Sequence, residues 1–257
     1  MKLSVGAAML SRMTLPPEFY LACLQADSTR LAEVGRLGLT EAVPSCPGWT
    51  VESVLRHVAQ VYLHKVEILR LAAKPDPWPP YLDDRDALDL YDETRAAIVV
   101  ALEQSGTELP TWTFSPTDKT SAFWYRRMAL ETAVHRIDAE LAHGAATPVN
   151  SDLALDGIDE VLTLMLGGPW WEEGDTEHPV DATIRITSDG RSWTIRLDAT
   201  SATVTPTAEG DVDAEVFGDP DDLFLWLWGR HDLSMEQSAG DDNAVREFRA
   251  RVAECTT

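Results

Sequence analysis

The sequence predicts an α+β protein of two domains, a four-helix bundle followed by a small α+β domain with a mostly antiparallel sheet. The first part of the chain holds four long segments with the apolar spacing of amphipathic helices. The later part changes to short segments in which apolar and polar residues alternate, as they do in half-buried strands. The change falls near residues 145–152, so we predict one domain over residues 1–148 and another over residues 149–257.

Three of the four predicted bundle helices, the first, second and fourth, have a signal at their start or end. Pro16 and Pro17 stand at the entry to the first helix, and Thr50 is a good N-cap for the second. The proline cluster of residues 75–80 forces an extended connection after the second helix, and Gly144 ends the fourth. The predicted spans are about 17–37, 51–73, 84–104 and 121–143, and a bundle is the natural way to pack them.

The later part of the chain begins with a predicted helix from about Asn150 to Leu166. Asp189-Gly190 is a tight-turn signal between two alternating segments, and together they predict a β-hairpin. Its candidate inward residues are Ile184, Ile186, Trp193, Ile195 and Leu197. Further strands are predicted at residues 202–205 and 214–217, and further helices at residues 219–228 and 243–254.

Composition excludes several kinds of partner. The 43 acidic residues against 21 basic ones give a net charge of -22, which argues against nucleic acid or an anionic membrane surface. Three scattered cysteines without CxxC spacing predict no disulfide framework and a reducing cytoplasm. Residues 1–13 do not have the pattern of a signal peptide, and no apolar run approaches the ~20 residues of a membrane span. We therefore expect a cytoplasmic protein, either a monomer or a homodimer.

Histidine and glutamate spacing indicates a candidate metal site. Glu131 and His135 lie one turn apart on the fourth predicted helix and share a face, just beside its apolar seam. His57 and His64 on the second helix are separated by a rise of ~10.5 Å, so only one of them can join the same ion. Spacing alone leaves open which one joins. It also leaves the alternative that Glu131 and His135 form an exposed ion pair worth a few tenths of a kcal/mol.

Other enzyme classes have less support in the sequence. The chain has no P-loop, no G-x-G-x-x-G on a strand–helix unit and no G-x-S-x-G elbow. Cys46, between Pro44 and Pro47, is a conceivable nucleophile, but no base flanks it. A buried structural thiol is the favoured interpretation of Cys46.

Several stretches, in order along the chain, resemble the signatures of one family. Val43-Pro-Ser-Cys-Pro-Gly-Trp-Thr-Val51 with Leu55-Arg-His57-Val58 resembles the N-terminal signature of the mycothiol-dependent maleylpyruvate isomerases, a branch of the DinB-like metal-binding bundles. Residues 126–140, which contain Glu131 and His135, look like the second signature. Residues 157–162 and 225–230 are similar to later landmarks, so the resemblance covers nearly the whole chain.

The resemblance implies a DinB-like bundle with up-down-down-up connectivity and a sterol-carrier-like C-terminal domain. It also implies a divalent metal, usually zinc, held by His57, Glu131 and His135, which selects His57 over His64. Three protein ligands leave a position for water or a thiol, as in catalytic zinc sites. Mycothiol is the implied cosubstrate, because the ion would stabilise its thiolate for addition to a small electrophile. The implied reaction is cis–trans isomerisation or S-transfer, and Fe, Ni or Co would suit the same ligands.

Three further residues bear on the implied chemistry. Related sequences often have histidine where this chain has Leu130, which points about 100° away from Glu131 and leaves the metal ligands intact. A catalytically silent metal- or ligand-binding or regulatory protein is therefore the alternative function, and a purely structural metal is a third. Arg230 is the candidate for binding a carboxylate of substrate or thiol, with a surface salt bridge as the equal alternative. Asp138, one turn beyond His135, is predicted to orient a ligand.

Overall fold

The computed structural model describes residues 15–82, 84–144, 146–171 and 176–256. The predicted absence of a signal peptide concerns residues that lie outside these ranges. Along the chain, a first compact unit ends at Leu153 and a second begins at Ala154. This division falls inside a helix, whereas the sequence places the domain boundary between residues 148 and 149.

The first unit is a bundle of four helices, as the sequence predicts. They are α1 (Pro17–Gly35), α2 (Val51–Leu71), α3 (Ala87–Ser105) and α4 (Ala122–Ala142). Helix α1 packs mainly on α4, and α2 packs on α3 and also on α4. The predicted ends of the helices lie within a few residues of the observed ones, because residues at or near the helix ends can be recognised in the sequence.

Two side chains fix where the middle helices begin. The Thr50 hydroxyl accepts a hydrogen bond from the Ser53 backbone N–H, and the Ser53 side chain accepts one from the Thr50 N–H. The Asp86 carboxylate accepts bonds from the first N–H groups of α3. These contacts satisfy donors that a helix end leaves unpaired.

Helix α4 is buried around almost its whole circumference, not along one apolar seam. Charged side chains such as Arg136 and Glu140 are as buried as the apolar ones. Arg136 is paired with Glu140 at 2.8 Å and with Asp27 of α1 at 3.1 Å. The apolar pattern misses this arrangement, because a buried charge is stable only when a partner from elsewhere in the chain reaches it.

The second part of the chain begins with α5 (Ser151–Glu160), which continues as a π-helical segment, Val161–Leu166. The prediction of a single α-helix to Leu166 is thus correct in extent and wrong in type for its last turns. There the Gly167 N–H donates to the Leu162 carbonyl at 2.9 Å, the spacing of a π-helix.

A five-stranded sheet forms the body of the C-terminal unit. Its strands are β1 (Ala182–Ser188), β2 (Arg191–Leu197), β3 (Ala202–Thr205), β4 (Ala214–Phe217) and β5 (Ser238–Gly240). Their order is β3-β2-β1-β4-β5, and every neighbouring pair is antiparallel except β1 and β4. The mostly antiparallel sheet is therefore confirmed. The sequence misses β5, because three small residues carry no alternation.

The β1–β2 hairpin follows the predicted register. Asp189 and Gly190 both adopt positive φ, which suits the tight turn that joins twisted strands. The five predicted inward side chains are fully buried. Helices α6 (Pro220–Leu227) and α7 (Asp242–Glu254) complete the unit.

None of the helices in the described part of the chain combines the length and apolarity of a bilayer span.

Candidate metal centre

Three side chains from two helices meet in the bundle. His57 comes from α2, and Glu131 and His135 come from successive turns of α4. Each offers one ligand atom, and these three atoms lie within 4.8 Å of one another. Three donors so close together can each reach one ion at metal–ligand distance.

One carboxylate oxygen lies at the middle of this cluster. Glu131 Oε1 is 3.2 Å from His57 Nε2 and 3.3 Å from His135 Nε2. The other oxygen, Oε2, accepts a charge-assisted hydrogen bond from the guanidinium of Arg127, one turn earlier on α4. Arg127 therefore turns Oε1 toward the two imidazoles. The Glu131 side chain is only 15% exposed, which disagrees with the alternative of an exposed ion pair.

A second carboxylate forms a hydrogen bond with the other ring nitrogen of His135. Asp138 Oδ2 lies 2.9 Å from His135 Nδ1, so Nδ1 carries the proton and Nε2 is left to face Glu131. Asp138 is itself fixed, because the Ser45 hydroxyl donates to Oδ1 at 2.5 Å and the Cys46 thiol donates to Oδ2 at 3.7 Å. The predicted orienting carboxylate thus lies next to the predicted ligand.

The turn ahead of α2 forms one wall of the centre. The Val43 N–H donates to the Trp49 carbonyl at 3.0 Å, and Gly48 adopts a φ of +84° that favours glycine. This closure places the indole of Trp49 5.1 Å from the His57 ring and, nearly parallel, 6.3 Å from the His135 ring. The indole restricts both imidazoles to orientations that face Glu131.

The charges of the centre favour a cation. Burial raises the pKa of Glu131, but Arg127 and the two imidazoles outweigh burial and hold that pKa well below its usual range. Burial lowers the pKa of His135, but hydrogen bonds to Asp138 and Glu131 outweigh it and raise that pKa to about 9. The buried carboxylates thus attract positive charge, as a proton or as a metal ion that displaces it. A His2Glu donor set of this kind fits a divalent transition metal.

The other candidate residues lie elsewhere. The His64 ring lies tilted against Trp78, with ring centroids 4.7 Å apart, and His64 does not belong to the cluster of ligand atoms. Leu130 is fully buried in the bundle. Arg230 follows α6 in the C-terminal unit and donates a hydrogen bond to the Trp228 carbonyl. Its role toward a substrate remains a prediction.

Sequence reasoning missed four side chains that support the cluster: Ser45, Cys46, Trp49 and Arg127. The first three lie in the Pro-Ser-Cys-Pro-Gly-Trp segment, whose two prolines and glycine already indicate a rigid turn. The rigidity of that turn was a usable signal. Its contacts with α4 were not, because the partners are about 90 residues away along the chain.

Two family models match this chain and together cover most of it. The mycothiol maleylpyruvate isomerase N-terminal domain matches residues 21–140, and the MDMPI C-terminal domain matches residues 152–247. The chain belongs to the mycothiol maleylpyruvate isomerase family. The N-terminal domain of this family contains the cluster of His57, Glu131 and His135, and the C-terminal domain contains Arg230.

Solved structures agree with the family. A crystal structure of the mycothiol-dependent maleylpyruvate isomerase is 15% identical, with a TM-score of 0.58 over 84% of this chain and 90% of that one. A variant of that isomerase with one histidine replaced by alanine gives 14% identity and a TM-score of 0.57 over the same shares. At these identities the likeness shows the fold of the maleylpyruvate isomerase family. Among curated proteins, no relative matches the chain.

Proposed function

We propose that this protein is an enzyme that holds a divalent metal, most simply zinc, on His57, Glu131 and His135. Bound there, the ion would stabilise the thiolate of mycothiol for addition to a small electrophile, in cis–trans isomerisation or S-transfer. The observation that carries the proposal is the meeting of the three ligand atoms within 4.8 Å on two helices.

The chain's own residues would prepare the site before the ion binds. Arg127 keeps Glu131 ionised and occupies its Oε2, so that Oε1 is free to act as a ligand. Asp138 holds the Nδ1 proton of His135, so that Nε2 is the nitrogen that would bind the ion once the ion displaces the Nε2 proton. His57 is the most accessible of the three ligands, with 37% of its side chain exposed, so solvent reaches the site on the side of His57.

The thiol and the substrate class come from the family. A relative of the same fold is named a mycothiol-dependent maleylpyruvate isomerase, and both of its domains have counterparts here. We therefore propose mycothiol as the cosubstrate and a small unsaturated acid as the electrophile. Arg230 is the proposed partner of one carboxylate of the electrophile, because a guanidinium binds carboxylates through two parallel hydrogen bonds. A reducing cytoplasm suits this chemistry and the three free cysteines.

The second candidate function is a metal- or ligand-binding protein without turnover. Leu130 favours it, because a fully buried aliphatic side chain stands where related sequences often have histidine. A leucine can neither donate nor accept a proton, so any step that needs a proton relay at this position would be lost.

Metal content and thiol consumption test the proposal. His57→Ala removes one of three ligands, so the purified variant should lose bound zinc in elemental analysis. His143→Ala, the same change at an exposed position after α4, should retain it. Full metal retention by His57→Ala would contradict the proposal that His57 is a metal ligand.

The wild-type protein should also consume mycothiol with at least one member of a panel of electrophiles that includes maleylpyruvate. If the protein bound the thiol but turned over no member of the panel, this result would support the second candidate function, a binding protein without turnover.

A further inference from the structure

A second polar cluster lies near the C-terminal end of α2, outside the metal ligands. Its main member is Lys65, whose Nζ stands over the Trp124 ring at 5.1 Å from the centroid. The same Nζ lies 3.0 Å from His64 Nδ1. The His64 ring lies tilted against both Trp78 and Trp112, with centroids 4.7 and 6.4 Å away. An ammonium group is thus held in place by aromatic rings and an imidazole.

Lys65 has no carboxylate partner among the residues that the structure describes. This is unusual in a chain with 43 acidic and 21 basic residues, where a lysine has many carboxylates available. The contact with Trp124 stabilises the positive charge without neutralising it. Two of the three ammonium donors remain available for an anion after one donates to His64.

His64 contributes a second donor to the same cluster. Burial and the charges of Lys65 and Lys74 lower its pKa to about 4, so the ring is neutral at pH 7. Because Nδ1 accepts from Lys65, the ring proton lies on Nε2. That nitrogen is buried and has no hydrogen-bond partner in the described part of the chain. An acceptor that reached it would satisfy a donor that is otherwise unpaired.

The register of α2 against α4 relates this cluster to the metal centre. His57 meets Glu131, and Lys65, eight residues later, meets Trp124, seven residues earlier on α4. The rise along α2 between His57 and Lys65 is ~12 Å. Burial lowers the pKa of Lys65 to about 8, Glu131 raises it and Arg127 lowers it further, so most of the ammonium is charged at pH 7 and lies within electrostatic reach of the centre. The cluster therefore suits the far end of a substrate whose reacting carbon lies at the metal.

We propose that Lys65, oriented by His64 and Trp124, binds a carboxylate of the small-molecule electrophile, distinct from the one assigned to Arg230. This assignment rests on the proposed function for its role in turnover, although binding of a carboxylate at Lys65 needs no metal. The partly exposed rings of Trp78 and Trp112 would favour a planar, conjugated acid, because a flat group stacks on an indole. A phosphate would meet the same charges without this stacking.

Calorimetric binding of benzoate, a planar carboxylate, tests the proposal in the His57→Ala background, where benzoate cannot bind to the metal. Adding Lys65→Met keeps the packing on Trp124 and removes the charge, so benzoate should bind at least about tenfold more weakly. Lys65→Arg should bind within about threefold of the background. Arg70→Met, the same loss of charge at an exposed position on α2, should leave binding unchanged. Uncharged benzamide should not bind.

Equal affinity for benzoate with Lys65 or Met at this position would overturn the assignment, as would equal binding of benzamide. If Lys65→Met did not fold, as judged by circular dichroism, Lys65→Gln would carry the same comparison. Because these measurements use metal-free protein, their outcome is independent of whether the metal centre is functional. In the metal-loaded enzyme, Lys65→Met should raise KM for an acidic electrophile more than it lowers kcat, and an unchanged KM would contradict the proposal.

Discussion

Asp138 shows how a residue outside the three proposed ligands can set the properties of the candidate metal centre. It is fully buried, accepts hydrogen bonds from Ser45 and Cys46, and holds the Nδ1 side of His135. Carboxylates in this position fix the tautomer and the ring orientation of a metal-binding histidine, and they raise its basicity.

We expect Asp138→Asn to lower the zinc affinity by about tenfold to a hundredfold, because the amide keeps the shape and loses the charge. Competition with a chromogenic chelator measures this affinity. Asp92→Asn, an equivalent change at a surface ion pair, is the control and should leave the affinity as in the wild type. A normal affinity in Asp138→Asn would mean that His135 needs no orienting carboxylate.

Tyr62 gives a second prediction at this scale, for stability. Its hydroxyl is buried and donates to Thr132 Oγ1 at 2.6 Å, and Thr132 in turn donates to the Met128 carbonyl. Tyr62→Phe should lower the free energy of unfolding by about 1 kcal/mol, measured by urea denaturation. Tyr81→Phe, at a side chain that is 75% exposed, should change it by much less. Equal effects of the two changes would show that this hydrogen bond contributes nothing net.

At the scale of the element, α2 carries both clusters, so its first turn fixes both positions. Thr50 and Ser53 form a reciprocal cap, and His57 follows seven residues after Thr50. Because the same residue also closes the turn that holds Trp49, the cap joins the turn to the helix.

Thr50→Ala should therefore lower the free energy of unfolding by about 0.5–2 kcal/mol, since it leaves N–H groups at the start of α2 without a partner. Chemical denaturation monitored by circular dichroism gives the value. Thr40→Ala, the same change at an exposed position in the preceding segment, serves as the comparison and should be nearly neutral. An effect of Thr50→Ala no larger than that of Thr40→Ala would show that the Thr50 cap does not stabilise the fold.

At the scale of the whole molecule, a buried carboxylate that joins two helices makes the stability depend on pH. Glu140 of α4 is nearly inaccessible and accepts hydrogen bonds from Arg30 of α1, from Arg136 and from the Thr147 N–H. Burial raises the pKa of Glu140, but these partners outweigh burial and hold it below its usual value of 4.5.

A carboxylate whose pKa is lower in the folded protein stabilises the fold above the unfolded-state value, and this contribution is lost as pH falls through the folded-state value. Unfolding measured between pH 7 and pH 3 should show a loss of stability below about pH 4.5 that is smaller in Glu140→Gln than in the wild type. Glu33→Gln, which removes the exposed partner of the same Arg30, should keep the wild-type profile. Identical profiles for Glu140→Gln and the wild type would contradict this assignment.

Much of the fold could be predicted because its signals are local. The helix caps, the Asp-Gly turn and the strand alternation each act over a few residues, and the elements lie where these signals place them. The π-helical end of α5 and the strand β5 could not be predicted. The π-helical segment has the same apolar pattern as an α-helix. Strand β5 forms only because it can pair with the edge of β4.

The candidate centre could be predicted in part for the same reason. The shared face of Glu131 and His135 is a property of one helix, so spacing alone gives it. Selecting His57 over His64 required the resemblance, since both lie on one face of α2. In the structure, α2 and α4 cross where His57 reaches Glu131, while the His64 ring lies tilted beside Trp78.

By itself, the sequence determined the elements, the two parts of the chain and the pair Glu131–His135, because these depend on neighbours within one or two turns. Only the tertiary structure decided which groups surround that pair. Ser45, Cys46 and Trp49 come to α4 from a turn far away along the chain, and Lys65 meets Trp124 through helix packing. The orientation and charge of a site depend on all groups within a few ångströms, and packing brings those groups from distant positions in the chain.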